Sequence, residues 1–409
     1  MNKPKIRFKG FEGEWKDVKL SSIAIFSKGQ GYSKSDLREN GHPIILYGRM
    51  YTKYQFAINE VDTFSNLKGA YVLSEGNEII MPASGETSED IACASAVLAK
   101  GIILGGDLNI VRFDLKKYST PFLALTITYS KTHYDLSKCA QGKSVVHLHN
   151  EAISKTAVSI PSLPEQRAIA SYFTSLDAQI AASTSRLSSL KQIKAASLLN
   201  MFPQKGETVP RVRFKGFQGE WKEVKLSSIA IFSKGQGYSK SDLRENGHPI
   251  ILYGRMYTKY QFAINEVDTF SNLKGAYVLS EGNEIIMPAS GETSEDIACA
   301  SAVLAKGIIL GGDLNIVRFD LKKYSTPFLA LTITYSKTHY DLSKCAQGKS
   351  VVHLHNEAIS KTAVSIPSLP EQRAIASFFT ALDAQITLQR ERLEKLKQIK
   401  AACLEKMFA

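Results

Sequence analysis

Cysteine is scarce: Cys93, Cys139, Cys299, Cys345 and Cys403 are the five in 409 residues. An odd, sparse set argues against a disulfide framework and for free thiols. No apolar run approaches the length of a membrane span, and the start MNKPKIRFKG lacks the apolar core of a secretion signal. A cytoplasmic location is the expectation. Enzymatic signatures are missing as well: there is no GxxxxGK[ST] phosphate loop, no GxSxG elbow, no HExxH and no CxxC. Neither the Asn-Pro-Pro-aromatic or Asp-Pro-Pro-aromatic stretch of amino-methyltransferases nor their cofactor glycine motif is present. The chain reads as non-catalytic, with no catalytic residue and no metal site of its own.

What is present is a duplication. The two tryptophans, Trp15 and Trp221, stand 206 residues apart, and in that register residues 18–171 and 224–377 are identical throughout. A period this long exceeds that of solenoids and propellers, so each copy can bury its own core. The composition, 44% hydrophobic and 22% charged, is that of a globular protein. The net charge of +12 invites a nucleic-acid partner, but each identical block holds 16 Lys+Arg against 14 Asp+Glu, so both together supply only +4. The rest lies in the N-terminal arm, the middle connector and the C-terminal segment.

The first part of each copy has the texture of strands and turns. IILYGRMYTKY (44–54), AYVLSEGNEIIMPAS (70–84), GIILGGDLNIVRFDL (101–115) and SVVHLHN (144–150) mix β-branched and aromatic residues with Gly, Asn and Asp. They predict a twisted, mainly antiparallel sheet or partial barrel, with one helix over TPFLALTITYSKTHYDL (120–136) packed on it. A different pattern follows. Pro164 and Glu165 stand near a helix start, and no further Pro or Gly occurs before Pro203. Ile169, Phe173, Leu176, Ile180, Leu187 and Leu190 then recur at steps of four and three, with Ser183 filling one position. The second copy repeats this seam with Ile375, Phe379, Leu382, Ile386, Leu393 and Leu396, and Gln389 stands at the interruption.

Pairing the two seams antiparallel buries both and suits the chain path, with the N-terminal arm KIRFKGFEGEW meeting the end of the second helix near Phe408. The expected fold class is α+β: two mainly-β domains separated by two long antiparallel coiled-coil helices, with internal two-fold pseudo-symmetry. The expected divisions are a first domain over 1–160, a central helix over 161–203, a second domain over 204–366 and a C-terminal helix over 367–409. The helices are where the copies diverge, AASTSRLSSL (181–190) becoming TLQRERLEKL (387–396). Drift at surface positions and unequal faces for partners both fit this difference.

Three constellations bear on chemistry. SKGQGYSK (27–34) combines glycines with flanking lysines, which fits either a plain turn or a phosphate contact. VHLHN (146–150) places His147 and His149 on one face of a strand, but no Cys or carboxylate at ligand spacing accompanies them, which argues against a metal. SGETSED (84–90) offers hydroxyls and carboxylates without the strand-spaced lysine of a nuclease site; a solvated turn and a hydrogen-bond-accepting loop are its two readings.

The start Phe11 to Ala24, the junction Ile153 to Ala170 with its Leu-Pro-Glu-Gln-Arg, and the helix Leu176 to Ile180 recur as Phe217 to Ala230, Ile359 to Ala376 and Leu382 to Ile386. This arrangement resembles the DNA-specificity subunit of type I restriction-modification systems, over nearly the whole chain. The resemblance implies that each β-rich block is a target-recognition domain reading half of a bipartite site in double-stranded DNA, with the paired helices as a ruler. It implies as partners two methyltransferase subunits and restriction subunits, which hold S-adenosylmethionine, ATP and magnesium, none bound by this chain. Family members generally carry two different recognition domains. Here the two are identical from Val18 to Ser171, so the expected target is a gapped palindrome.

Base and phosphate contacts call for polar, cationic and aromatic side chains in loops, repeated in both copies. The candidates are Lys28, Gln30, Tyr32, Lys34, Arg49, Tyr51, Lys53, Tyr54, Ser84, Glu86, Thr87, Lys143, Ser144 and His147. Their counterparts are Lys234, Gln236, Tyr238, Lys240, Arg255, Tyr257, Lys259, Tyr260, Ser290, Glu292, Thr293, Lys349, Ser350 and His353. Tyrosines packing on the sheet edge explain at least one of the three in YGRMYTKY (47–54). Two competing readings are a nuclease or methyltransferase with diverged motifs, and a stand-alone scaffold or regulator; activity of the purified chain and co-purifying partners separate them.

Overall fold

The run EIIMPA is apolar at nearly every position because its strand is covered on both faces. In the computed structural model, which describes residues 3–408, Glu78–Pro82 is the middle strand of a five-stranded sheet in the order Ala24–Lys28, Leu108–Phe113, Glu78–Pro82, Ser95–Val97, Ala57–Ile58. The last pair is parallel and the others antiparallel. Alternate residues serve opposite sides: Ile79 and Met81 join one core with Phe122 and Leu125, while Ile80 joins another with Ile45, Val97 and Leu104. The second core lies against a further sheet ordered Leu37–Arg38, Phe64–Ser65, His42–Ile45, Lys100–Leu104, Leu73–Glu75.

Each domain is therefore a layered, mixed α/β structure. The stretch 120–136, expected as one helix, is two, Thr120–Tyr129 and Lys131–Lys138. They part at Ser130, whose extended backbone (φ −108°, ψ −172°) lets its side chain accept the Thr132 amide as an N-cap. The expected strand over 44–54 is likewise interrupted, since Arg49–Thr52 forms a single helical turn that sends Met50 into the core between the sheets.

By internal contacts the chain divides into two units, residues up to Thr184 together with those from Glu391 onward, and Ser185–Arg390. Each contains one copy of the repeated block and parts of two long helices, Leu163–Asn200 and Leu369–Lys406. At 1.5 Å per residue each helix is about 57 Å long. In the first unit their segments run antiparallel: Lys400 pairs with Asp177 at 2.5 Å and the Tyr172 hydroxyl lies 3.4 Å from Cys403 Sγ. Phe408 then reaches Phe173 and Phe122, at centroid distances of 5.9 and 6.2 Å. In the second unit Lys194 pairs with Asp383 at 2.5 Å, and Phe202 takes the place of Phe408 against Phe379 and Phe328.

Of the seam, Ile169, Phe173, Leu176, Ile375, Phe379, Leu382, Ile386 and Leu393 are buried, as are Ser183 and Gln389. Ile180, Leu187, Leu190 and Leu396 are half-buried. The N-terminal arm is tied down as expected, the Ile6 amide donating to the Lys406 carbonyl at 2.9 Å. Arg7 grips Glu165 through Nε (2.6 Å) and Nη2 (2.7 Å) while Nη1 donates to the Gly13 carbonyl. The hydrogen bond to Glu165 raises the arginine pKa further, and Arg213 with Glu371 repeats the arrangement in the second unit. Among the described residues no helix is long and apolar enough to cross a membrane.

Candidate nucleic-acid interface

The loop SKGQGYSK is pinned from behind. Gly29 donates to the Leu108 carbonyl at 2.9 Å, Gln30 to the Leu104 carbonyl at 3.0 Å, and Gly106 to the Gly31 carbonyl at 2.8 Å. The approach is so close that a Cβ on Gly29 would lie 1.9 Å from the Gly105 carbonyl oxygen. Tyr32 occupies the left-handed region (φ +58°), as Tyr238 does (φ +59°), a conformation uncommon for a bulky residue. It is held there because its hydroxyl accepts the Lys68 amide at 2.9 Å while the Lys68 ammonium lies 5.4 Å from the ring centroid. Lys28, Gln30 and Lys34 remain exposed on this stiff base.

The helical turn Arg49–Thr52 sits across a cleft from that loop. In the second copy the cleft has a volume near 560 Å³. Leu243, Leu252 and Tyr253 form its apolar lining, and Tyr238, Lys240, Arg255, Lys259, Asp268 and Asp313 supply its polar groups. Four candidates from two separate stretches, Tyr238 with Lys240 and Arg255 with Lys259, thus share one concave surface. Arg49 is only 9% exposed, and both it and the 57%-exposed Lys53 bind the carboxylate of Asp62. Those two cations, Lys53 foremost, hold the Asp62 carboxyl well below the usual carboxylate range.

A second cluster is built where the strand Ser84–Gly85 pairs antiparallel with Val146–His147. It exposes Glu86, Lys143, Ser144 and His147, and the His147 and His149 rings lie parallel within 8° at 6.3 Å. Tyr51 joins this cluster to the cleft, its hydroxyl donating to the Ser84 carbonyl and its ring meeting Tyr47 edge-on at 6.1 Å; burial raises its phenol pKa. Thr87 caps the helical turn Ser88–Ile91 by accepting the Asp90 amide at 3.1 Å.

Two candidates are turned inward. The Tyr54 hydroxyl donates to the Ala94 carbonyl at 3.1 Å, with its ring edge-on to Tyr129, and burial lifts its pKa far above the ordinary phenol value. Ser84 is 7% exposed because its strand packs beneath the turn. Tyr260 and Ser290 repeat both placements. Asp62, Lys68 and the exposed Tyr47 belong to this surface yet escape a search for basic and glycine-rich stretches. Asp62 lies 13 residues beyond Arg49 and Lys68 lies 36 beyond Tyr32, with no local pattern linking them.

The chain thus carries the same set of polar loops twice, once on each folded repeat. A family model for the type I restriction modification DNA specificity domain matches residues 12–192 and again 218–398. The chain belongs to this family, whose members confer DNA specificity on type I restriction-modification complexes and are not themselves catalytic. In it, cofactors typically reside in the methyltransferase and restriction subunits. The chain is similar to the specificity subunit of the type I restriction enzyme MjaVIII of Methanocaldococcus jannaschii, with 18% identity over 396 residues, 95% of this chain and 90% of that one. It is 26% identical over 188 residues to the EcoBI specificity subunit of Escherichia coli, covering 44% of this chain and 36% of that one. Its fold resembles the crystal structure of a type I S subunit from M. genitalium, with a TM-score of 0.58 at 14% identity, covering 100% and 99% of the two chains.

Proposed function

We propose that this chain reads a gapped palindromic site in double-stranded DNA, one half with each recognition domain, and that it docks two methyltransferase subunits and the restriction subunits of a type I complex. The domains are assigned as residues 1–160 and 204–366, and the spacer helices as 161–203 and 367–409; the outer limits at 1 and 409 lie outside the described residues. The observation that carries the reading is the identity of residues 18–171 and 224–377. Equal readers on antiparallel helices demand a half-site and its inverted complement, as two-fold repressors do. The DNA-facing set is Lys28, Gln30, Tyr32, Lys34, Arg49, Tyr51, Lys53, Glu86, Thr87, Lys143, Ser144 and His147 with their counterparts. Tyr54 and Ser84 act from beneath this surface, positioning the loops. S-adenosylmethionine, ATP and magnesium act in the partner subunits.

The test is to express the chain with a cognate methyltransferase subunit and map methylated adenines across a genome. The expected result is one gapped motif whose halves are inverted complements. A direct repeat, or two unrelated halves, refutes the symmetric reading.

A further inference from the structure

The cleft contains a feature that base readout does not require. Arg49 and Lys53 stand four residues apart and converge on one carboxylate, Arg49 on Oδ1 and Lys53 on Oδ2 of Asp62. The remaining arm of the guanidinium donates to Gln55 Oε1 at 3.1 Å. The second copy repeats the set, Arg255 meeting Asp268 at 2.5 Å with Lys259 on the other oxygen. A fork of two cations spanning two oxygens of one anion is the geometry that also recognises a phosphodiester. Asp62 and Lys53 are each 57% exposed, and an exposed pair of this kind contributes little to folding, while Arg49, 9% exposed, is set deeper in the cleft. The carboxylate therefore stands on the open side of the fork, where an incoming anion can displace it.

We propose that the Arg49–Lys53 fork is a DNA-phosphate site whose resting occupant is Asp62, an internal competitor that weakens the chain's sequence-independent hold on duplex DNA. The inference rests on the reading of this cleft as a DNA-facing surface. Non-specific duplex offers the fork only phosphate, which must compete with a tethered carboxylate. Asp268 does the same in the second copy.

The experiment uses the full chain and a labelled random-sequence duplex titrated over a salt series. Three paired variants are compared with the parent: D62N/D268N, the charge-keeping D62E/D268E, and K53A/K259A. Releasing both forks steepens the log K against log salt slope by about 0.9 for each phosphate gained, so by about 2 in D62N/D268N, with tighter binding at low salt. D62E/D268E keeps the parental slope, K53A/K259A binds more weakly, and all unfold near the parental temperature. If D62N/D268N leaves slope and affinity unchanged or weakens binding while K53A/K259A still weakens it, the competitor role is overturned and the DNA-facing surface stands. If neither pair alters binding, the cleft is not a DNA surface and both readings fall.

Discussion

Replacing Gly29 by alanine tests whether the pinned loop is an instrument of recognition. The added Cβ would lie 1.9 Å from the Gly105 carbonyl oxygen and 2.7 Å from that of Leu104. A carbon and an oxygen settle at roughly 3.3 Å, so the two loops must part by about 1.4 Å. The Gln30 and Gly106 hydrogen bonds across the same seam lengthen with them. Overpacking of this kind costs about 1–3 kcal/mol, and restoring the parental loop position on DNA costs the same, an affinity loss of roughly 5- to 150-fold. Gly235→Ala meets the same obstacle, with the Gly311 oxygen at 2.0 Å, so its loss should match that of Gly29→Ala. Anisotropy titrations of the methyltransferase-bound chain on its mapped target measure both. Full affinity alongside a lowered unfolding temperature would refute the assignment of this loop to DNA, and unequal losses would refute equal halves.

Arg7→Ala leaves Glu165, 1% exposed, without its bidentate partner. A loss of about 3 kcal/mol is expected, seen by calorimetry as an earlier transition, and Arg7→Ala with Glu165→Leu should recover part of it. The thiols should fall into classes in a timed reaction with a thiol reagent: Cys139 is exposed and fast, while Cys93 and Cys299 are buried and react only on unfolding. Burial pushes both of those thiols up to about 12. The unfolded thiols ionise from about pH 8.5 upward, so this contribution to stability is complete below that pH and declines above it. Urea titrations at pH 7.5 and 9.5 should differ less once both are replaced by alanine.

The long helices were legible because their information is local: Pro164, the following Glu165 and a seam at steps of four and three all fall within one segment. The strand core was legible from apolar runs such as EIIMPA. The site was not, because its geometry is made by distant residues. Nothing in SKGQGYSK announces that its glycine backs onto Gly105, and nothing in YGRMYTKY announces Asp62. Read as a strand, that stretch would set Arg49, Tyr51 and Lys53 on one face. One helical turn instead groups Arg49 with Lys53 and sends Tyr51 toward Ser84. Tyr54 looks like its neighbours in sequence, and only Ala94 and Thr128 around its hydroxyl mark it as internal.

The ion pairs along the helices carry a consequence for assembly. The central helix bears both Asp177 and Lys194, and the C-terminal helix bears both Asp383 and Lys400, each acid being 17 residues ahead of its base. Either helix alone thus holds a full complement of partners for a copy of itself. Covalent fusion turns what would be a bimolecular encounter into an intramolecular one, whose equilibrium is independent of protein concentration. Formation of each mixed helix pair then no longer depends on how much protein a cell makes, and dilution cannot undo it.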